Sequence, residues 1–176
     1  MELTRTKYVS KAKVIPKLDL SLVAEYKMCV KDLMKNEDVK SMENFIQHGD
    51  ISCLEHCISV SYISFKVAKA LGLDYKSAAR GGLLHDFFLY DWHVTKHGDG
   101  LHGFTHPHTA LKNASERFKL NEIEKDIIVK HMWPLTLSLP KYKESFVIVM
   151  VDKYCSMAEI ISSRLKKITT LKLQKI

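Results

Sequence analysis

The sequence predicts an all-α protein. Apolar residues recur at helical spacing along most of the chain, and aspartate, asparagine or serine stands where such stretches begin. No succession of alternating strands joined by Asn-Gly or Asp-Gly turns accompanies them.

Taken in order, Asp19 is placed to cap a first helix over 19–36, and Asp38 or Ser41 to start a short second one toward Ile46, after which Gly49 interrupts. An apolar helix follows over 52–72, ending at Gly72, a residue suited to a left-handed C-terminal cap. Asp74 then caps a helix carrying Ala78, Ala79, Gly81, Gly82, Leu83 and Leu84. Small side chains let a neighbouring helix approach closely, at the propensity cost of glycine, so this helix is expected at the centre. The polar stretch 89–105 reads as an ordered loop. Pro107 suits the first turn of a helix running to about Phe118, with further helices over 121–131 and 141–167. The run FVIVMV in the last would also suit a buried strand, but the length of the segment and its continuing stripe favour helix.

A length of 176 residues suits one domain, and 46% hydrophobic with 27% charged residues fits a globular chain, not a disordered one. No window approaches the ~18 uninterrupted apolar residues of a membrane span, and the start of the chain lacks the apolar core of a signal peptide. Cytoplasm is therefore the expected compartment. Cys29, Cys53, Cys57 and Cys155 are too few and too irregular for a disulfide framework and are expected as reduced thiols. Cys53 and Cys57 bracket His56 at i, i+4 spacing, but no second cysteine pair with zinc-ligand spacing accompanies them, so small buried thiols are the simpler reading.

The net charge of +7 gathers at the two ends, in Lys7, Lys11, Lys13 and Lys17 and in Arg164, Lys166, Lys167, Lys172 and Lys175. Solvated terminal faces explain this more simply than a groove for nucleic acid, while a basic surface suits a small polyanionic substrate.

His56 shares a helical stripe with Val60, Ile63 and Val67 and so points at the core. Alone it would be a core histidine satisfied by one hydrogen bond. His85 and Asp86 end the apolar run LLHD, where an unpaired carboxylate costs several kcal/mol. Asp152 lies in FVIVMVDKYC, again an acid in an apolar run, for which an ion pair with a base such as Arg80 is the competing explanation. Together they form the imidazole and carboxylate set that Zn, Mn, Fe and similar ions prefer, offered inward from three separate helices.

The order of His56, the His85-Asp86 doublet and the distant Asp152 resembles the HD superfamily of metal-dependent phosphohydrolases. The likeness spans about 44–163 and implies an HD-domain helical bundle. His106, opening HPHTALKNA, and His131, ending DIIVKH, are similar to extra ligands of the HD-GYP branch. That resemblance implies two divalent ions bridged by Asp86, with Mn, Fe, Zn, Ni, Co or Mg as candidate metals. The chain departs from that branch by lacking its glycine-tyrosine-proline motif and by having Leu89 where many relatives place a lysine, which argues against cyclic dinucleotide hydrolysis.

The implied reaction is hydrolysis of a phosphate ester, of a nucleotide or related metabolite, by metal-activated water. Asp86, His93 and Lys96 are the catalytic candidates, and His48, His97, His102 and His108 the substrate-binding ones; for the loop histidines, plain surface residues are the competing reading. Two other classes stay open: a di-iron oxygenase of the same superfamily, and a non-catalytic ligand-binding module in which the metal only holds helices together.

Overall fold

The computed structural model describes residues 19–94 and 101–173, with the side chains of the last helix described as far as Lys166. Among the described residues it holds seven α-helices and one small hairpin: α1 Leu20–Cys29, α2 Glu37–Ser41, β1 Ile46–His48, β2 Ile51–Ser52, α3 Cys53–Ala70, α4 Tyr75–Leu84, α5 His102–Arg117, α6 Glu122–Lys130 and α7 Lys143–Leu173. The fold is mostly helical. Lys96 and His97 lie outside the described residues.

The caps follow the side chains. Asp19 accepts from the backbone N–H groups of Ser21 and Leu22, and Asp74 from that of Ser77. Ser52 with Glu55 and Asn121 with Glu124 form reciprocal capping boxes at the starts of α3 and α6. Gly72, at φ +67°, ends α3: its N–H bonds the Lys69 carbonyl, and the Leu73 N–H bonds the Ala68 carbonyl.

α4 is central, packed against α3, α6 and α7, because its glycines admit those neighbours. A Cβ on Gly82 would stand 3.0 Å from the Ser61 Cα of α3 and 3.1 Å from Ile148 Cδ1 of α7, and one on Gly81 would stand 2.8 Å from the Ile127 side chain of α6. Leu83, Leu84, Phe87 and Phe88 carry the main core forward, joined by Leu33, Val39, Met42 and Phe65.

Three expectations change. α1 ends at Cys29, and the segment up to Asn36 continues as a separate 3₁₀ turn, Leu33–Lys35, with α2 capped by Asn36. The region at Gly49 is the turn of an antiparallel hairpin pairing Ile46 with Ser52 and His48 with Ile51. Glycine is required there twice over, by φ +67° and because a Cβ would meet the Ser163 side chain at 2.5 Å. Finally, α5 starts at His102, so Pro107 lies inside the helix and not in its first turn. Proline removes one ladder hydrogen bond, and side chains support the turn instead. His106 Nδ1 donates to the His102 carbonyl at 2.7 Å, and the His102 ring stacks on the His106 ring at 4.5 Å. No helix among the described residues is long and apolar enough to cross a membrane.

Candidate metal centre

Five helices converge on one buried cluster. α3 presents His56 one turn inside its capping box, and His85 caps the C-terminus of α4 with Asp86 next in the chain. α5 supplies His106, His131 caps the C-terminus of α6, and α7 supplies Asp152. A helix end lets the chain turn a side chain toward a cleft while leaving carbonyls free to hold it.

The carbonyls do hold these rings. His85 Nδ1 bonds the Gly82 carbonyl at 2.7 Å, His131 Nδ1 the Ile128 carbonyl at 2.8 Å and His106 Nδ1 the His102 carbonyl at 2.7 Å. A carbonyl only accepts, so each Nδ1 carries a proton and each ring turns Nε2 inward. His56 is held by a carboxylate in the same way, with Nδ1 2.9 Å from Glu159 Oε2 and Nε2 3.1 Å from Asp152 Oδ1.

Among the described residues three groups have ligand-type atoms within 4.8 Å of one another, and one of them joins His48 and Glu159 to His56. The other two are His56, His85 and Asp152, and Asp86, His106 and His131. The Asp86 carboxylate spans them: Oδ2 is 3.4 Å from His85 Nε2, while Oδ1 is 3.2 Å from His106 Nε2 and 3.4 Å from His131 Nε2. His85 Nε2 and Asp86 Oδ1 are nonetheless buried without a hydrogen bond of good geometry. His106 Nε2 and His131 Nε2 face each other at 2.8 Å. Two lone pairs at that distance repel unless a proton or a cation lies between them. Divalent cations would satisfy these atoms, so the donor set fits a metal.

Charge follows position. Burial works against ionising Asp86, but His85, His106 and His131 outweigh it and hold the carboxyl well below the usual range. Asp152 is likewise held down against its burial by His56 and His85. Burial disfavours a charged His56, yet its bonds to Asp152 and Glu159 prevail and lift the ring to about 10.

A cleft of about 860 Å³ opens onto the cluster, with Asp86, His106, His131 and Asp152 among its lining residues. Trp92, Met132, Pro134, Leu135 and Met157 form apolar walls, and Gln47, His48, His102, Lys153 and Ser156 add polar groups. His102 receives a hydrogen bond partner in the Tyr90 hydroxyl at 3.0 Å and stacks between the rings of Trp92 and His106. Burial and the His106 ring push its pKa down to about 4, so it stands in the cleft as a neutral base.

Of the other expected residues, His48 sits edge-on to His56 at 5.3 Å and lines the cleft. His93 is bound to Asp91 on the exposed loop, and His108 is exposed on α5; neither lines the cleft. Asp152 does not pair with Arg80, whose partners are Glu124 at 2.8 Å and Asp32 at 2.6 Å. The four cysteines are free and buried. Cys53 and Cys57 lie behind the doublet, with Cys53 Sγ 3.5 Å from the Asp86 carbonyl and Cys57 Sγ 3.8 Å from His85 Nδ1.

Two residues escape the sequence reading. Glu159 lies seven positions after Asp152, two turns along the same face of α7, a spacing that could have found it. Gln47, on β1, donates to Asp86 Oδ2 at 2.6 Å, and no pattern in so short a strand reveals it. No family model, curated protein or solved structure matches the chain.

Proposed function

We propose that the chain is a metal-dependent phosphohydrolase of the HD type, cleaving the phosphate ester of a nucleotide or related small metabolite. One observation supports this reading: four buried histidines, each with Nδ1 tied to a carbonyl or carboxylate, turn Nε2 toward the two buried carboxylates Asp86 and Asp152. Residues His56, His85 and Asp152 would hold one divalent ion and His106 and His131 a second, with Asp86 shared between them. Such ions lower the pKa of water and polarise a phosphoryl oxygen.

The remaining work belongs to the chain. The anchored Nδ1 atoms keep the imidazoles from rotating, so the donor set is formed before anything binds. Trp92, Met132, Pro134, Leu135 and Met157 keep water from the organic part of the ester, and Lys153 offers a cation to its anionic part. His102, with the Tyr90 hydroxyl at its Nδ1, would hydrogen-bond a hydroxyl or water in the cleft.

The test is phosphate release from a panel of nucleotides and sugar phosphates by the manganese-loaded protein. Release that disappears with EDTA and in Asp86→Ala is the expected result. No release from any compound, together with oxygen consumption by a two-iron form, would replace hydrolysis by oxidation.

A further inference from the structure

The hairpin β1–β2 delivers one side chain to the heart of the cluster. Gln47 is buried, at 7% exposure, and lines the cleft together with His48 and Asp86. Its amide has a definite orientation. Ionised Asp86 only accepts hydrogen bonds, so the group 2.6 Å from Oδ2 is the NH₂, and Oε1 is the other end. Oε1 is buried without a hydrogen-bond partner among the described residues. A buried amide oxygen left unpaired costs about 1–3 kcal/mol, so its retention calls for a donor that binds there.

We infer that Gln47 is a positioning residue acting through both ends of its amide: Nε2 fixes the rotation of the Asp86 carboxylate, and Oε1 accepts a hydrogen bond from water or a hydroxyl bound in the cleft. The inference rests on the metal reading of the cluster. With Oδ2 held by Gln47 on the His85 side, Oδ1 is left to face His106 and His131, the arrangement that lets one carboxylate serve both groups. The free acceptor also selects what sits against it. An unprotonated phosphoryl oxygen has no proton to give and is repelled, whereas a water or hydroxyl is held with one proton directed at Oε1 and a lone pair turned elsewhere. Gln47 thereby separates the place of the water from the place of the phosphate.

The test uses Co²⁺ alone as the probe, because its visible absorption reports the arrangement of its ligands. Gln47→Met keeps similar bulk and removes both the donor and the acceptor; Gln47→Glu keeps the shape and replaces the donor with a second carboxylate against Asp86. Both are expected to retain the helical circular dichroism of the wild type and to change the Co²⁺ spectrum. Gln47→Met should also weaken Co²⁺ binding by about 10- to 100-fold at the Asp86, His106 and His131 group. If Gln47→Met fails to fold, the spectrum of Gln47→Glu decides. A folded variant with the wild-type spectrum and affinity would overturn the inference while leaving the metal reading intact. Failure of the wild-type protein to bind Co²⁺ would overturn both.

Discussion

A histidine becomes useful to a metal when its second nitrogen is occupied. Here three backbone carbonyls and one carboxylate do that, and the carboxylate is the part a substitution can reach. Glu159→Ala is expected to weaken metal binding at the His56, His85 and Asp152 group by about 10- to 100-fold. Glu159→Gln, which keeps an acceptor for His56 Nδ1, should recover part of the loss, and chelator competition measures both. Equal affinity in the three proteins would remove Glu159 from the site. The ligand-type residues themselves are legible because His85, Asp86 and Asp152 are polar groups set in apolar runs, where burial without a partner is expensive. Glu159 shows only in its spacing from Asp152, and Gln47 shows in nothing, because a glutamine beside a glycine turn looks like an ordinary surface residue until tertiary contacts place it.

Among the elements, α4 ties packing to the site most tightly. The carbonyl that holds His85 belongs to Gly82, the same residue whose missing side chain lets α3 and α7 approach. Gly82→Ala gains about 1 kcal/mol of helix propensity but meets the Ser61 backbone, an overpacking that costs about 1–3 kcal/mol. The net effect is expected to be a lower melting temperature together with weaker metal binding. Gly72→Ala is the control: nothing lies within 4 Å of its Cβ, while its φ of +67° is strained for alanine. It should lose about 1 kcal/mol of stability and leave metal affinity unchanged. Closeness of approach at α4 is readable from the small residues, and Gly72 from its place after an apolar stripe. The start of α5 is not, since Pro107 reads as a first-turn residue when the support from His102 and His106 is out of sight. Nor is the hairpin: Gly49-Asp50 is a turn signal, but strands of three and two residues are too short to show alternation.

At the scale of the molecule, the His/Asp cluster stays in register only while α6 and α7 stay together, since His131 caps one and Asp152 lies on the other. Asp126 makes that join. It accepts from the Lys141 N–H at 2.9 Å and the Ser145 hydroxyl at 2.7 Å at the approach to α7, and pairs with Lys130 at 2.8 Å. Burial pushes its pKa up, but Lys130, Ser145 and the Lys141 N–H outweigh that and hold it below the usual value. The folded pKa is thus lower than the unfolded one of about 3.9, so the stabilisation is present above that pH and is lost as pH falls through the folded value. Metal-free wild-type protein should lose melting temperature more steeply than Asp126→Asn between about pH 5 and about pH 3. Parallel curves would show that Asp126 does not carry the join.

The claim beneath all of this is that the two groups of side chains are two metal positions sharing Asp86. Elemental analysis of wild type and His131→Ala, each loaded with Mn²⁺ and freed of excess, tests it most directly. Two ions per chain in the wild type and one in the variant, held by His56, His85, Asp86 and Asp152, is the expected result. Equal metal per chain in the two proteins would contradict it.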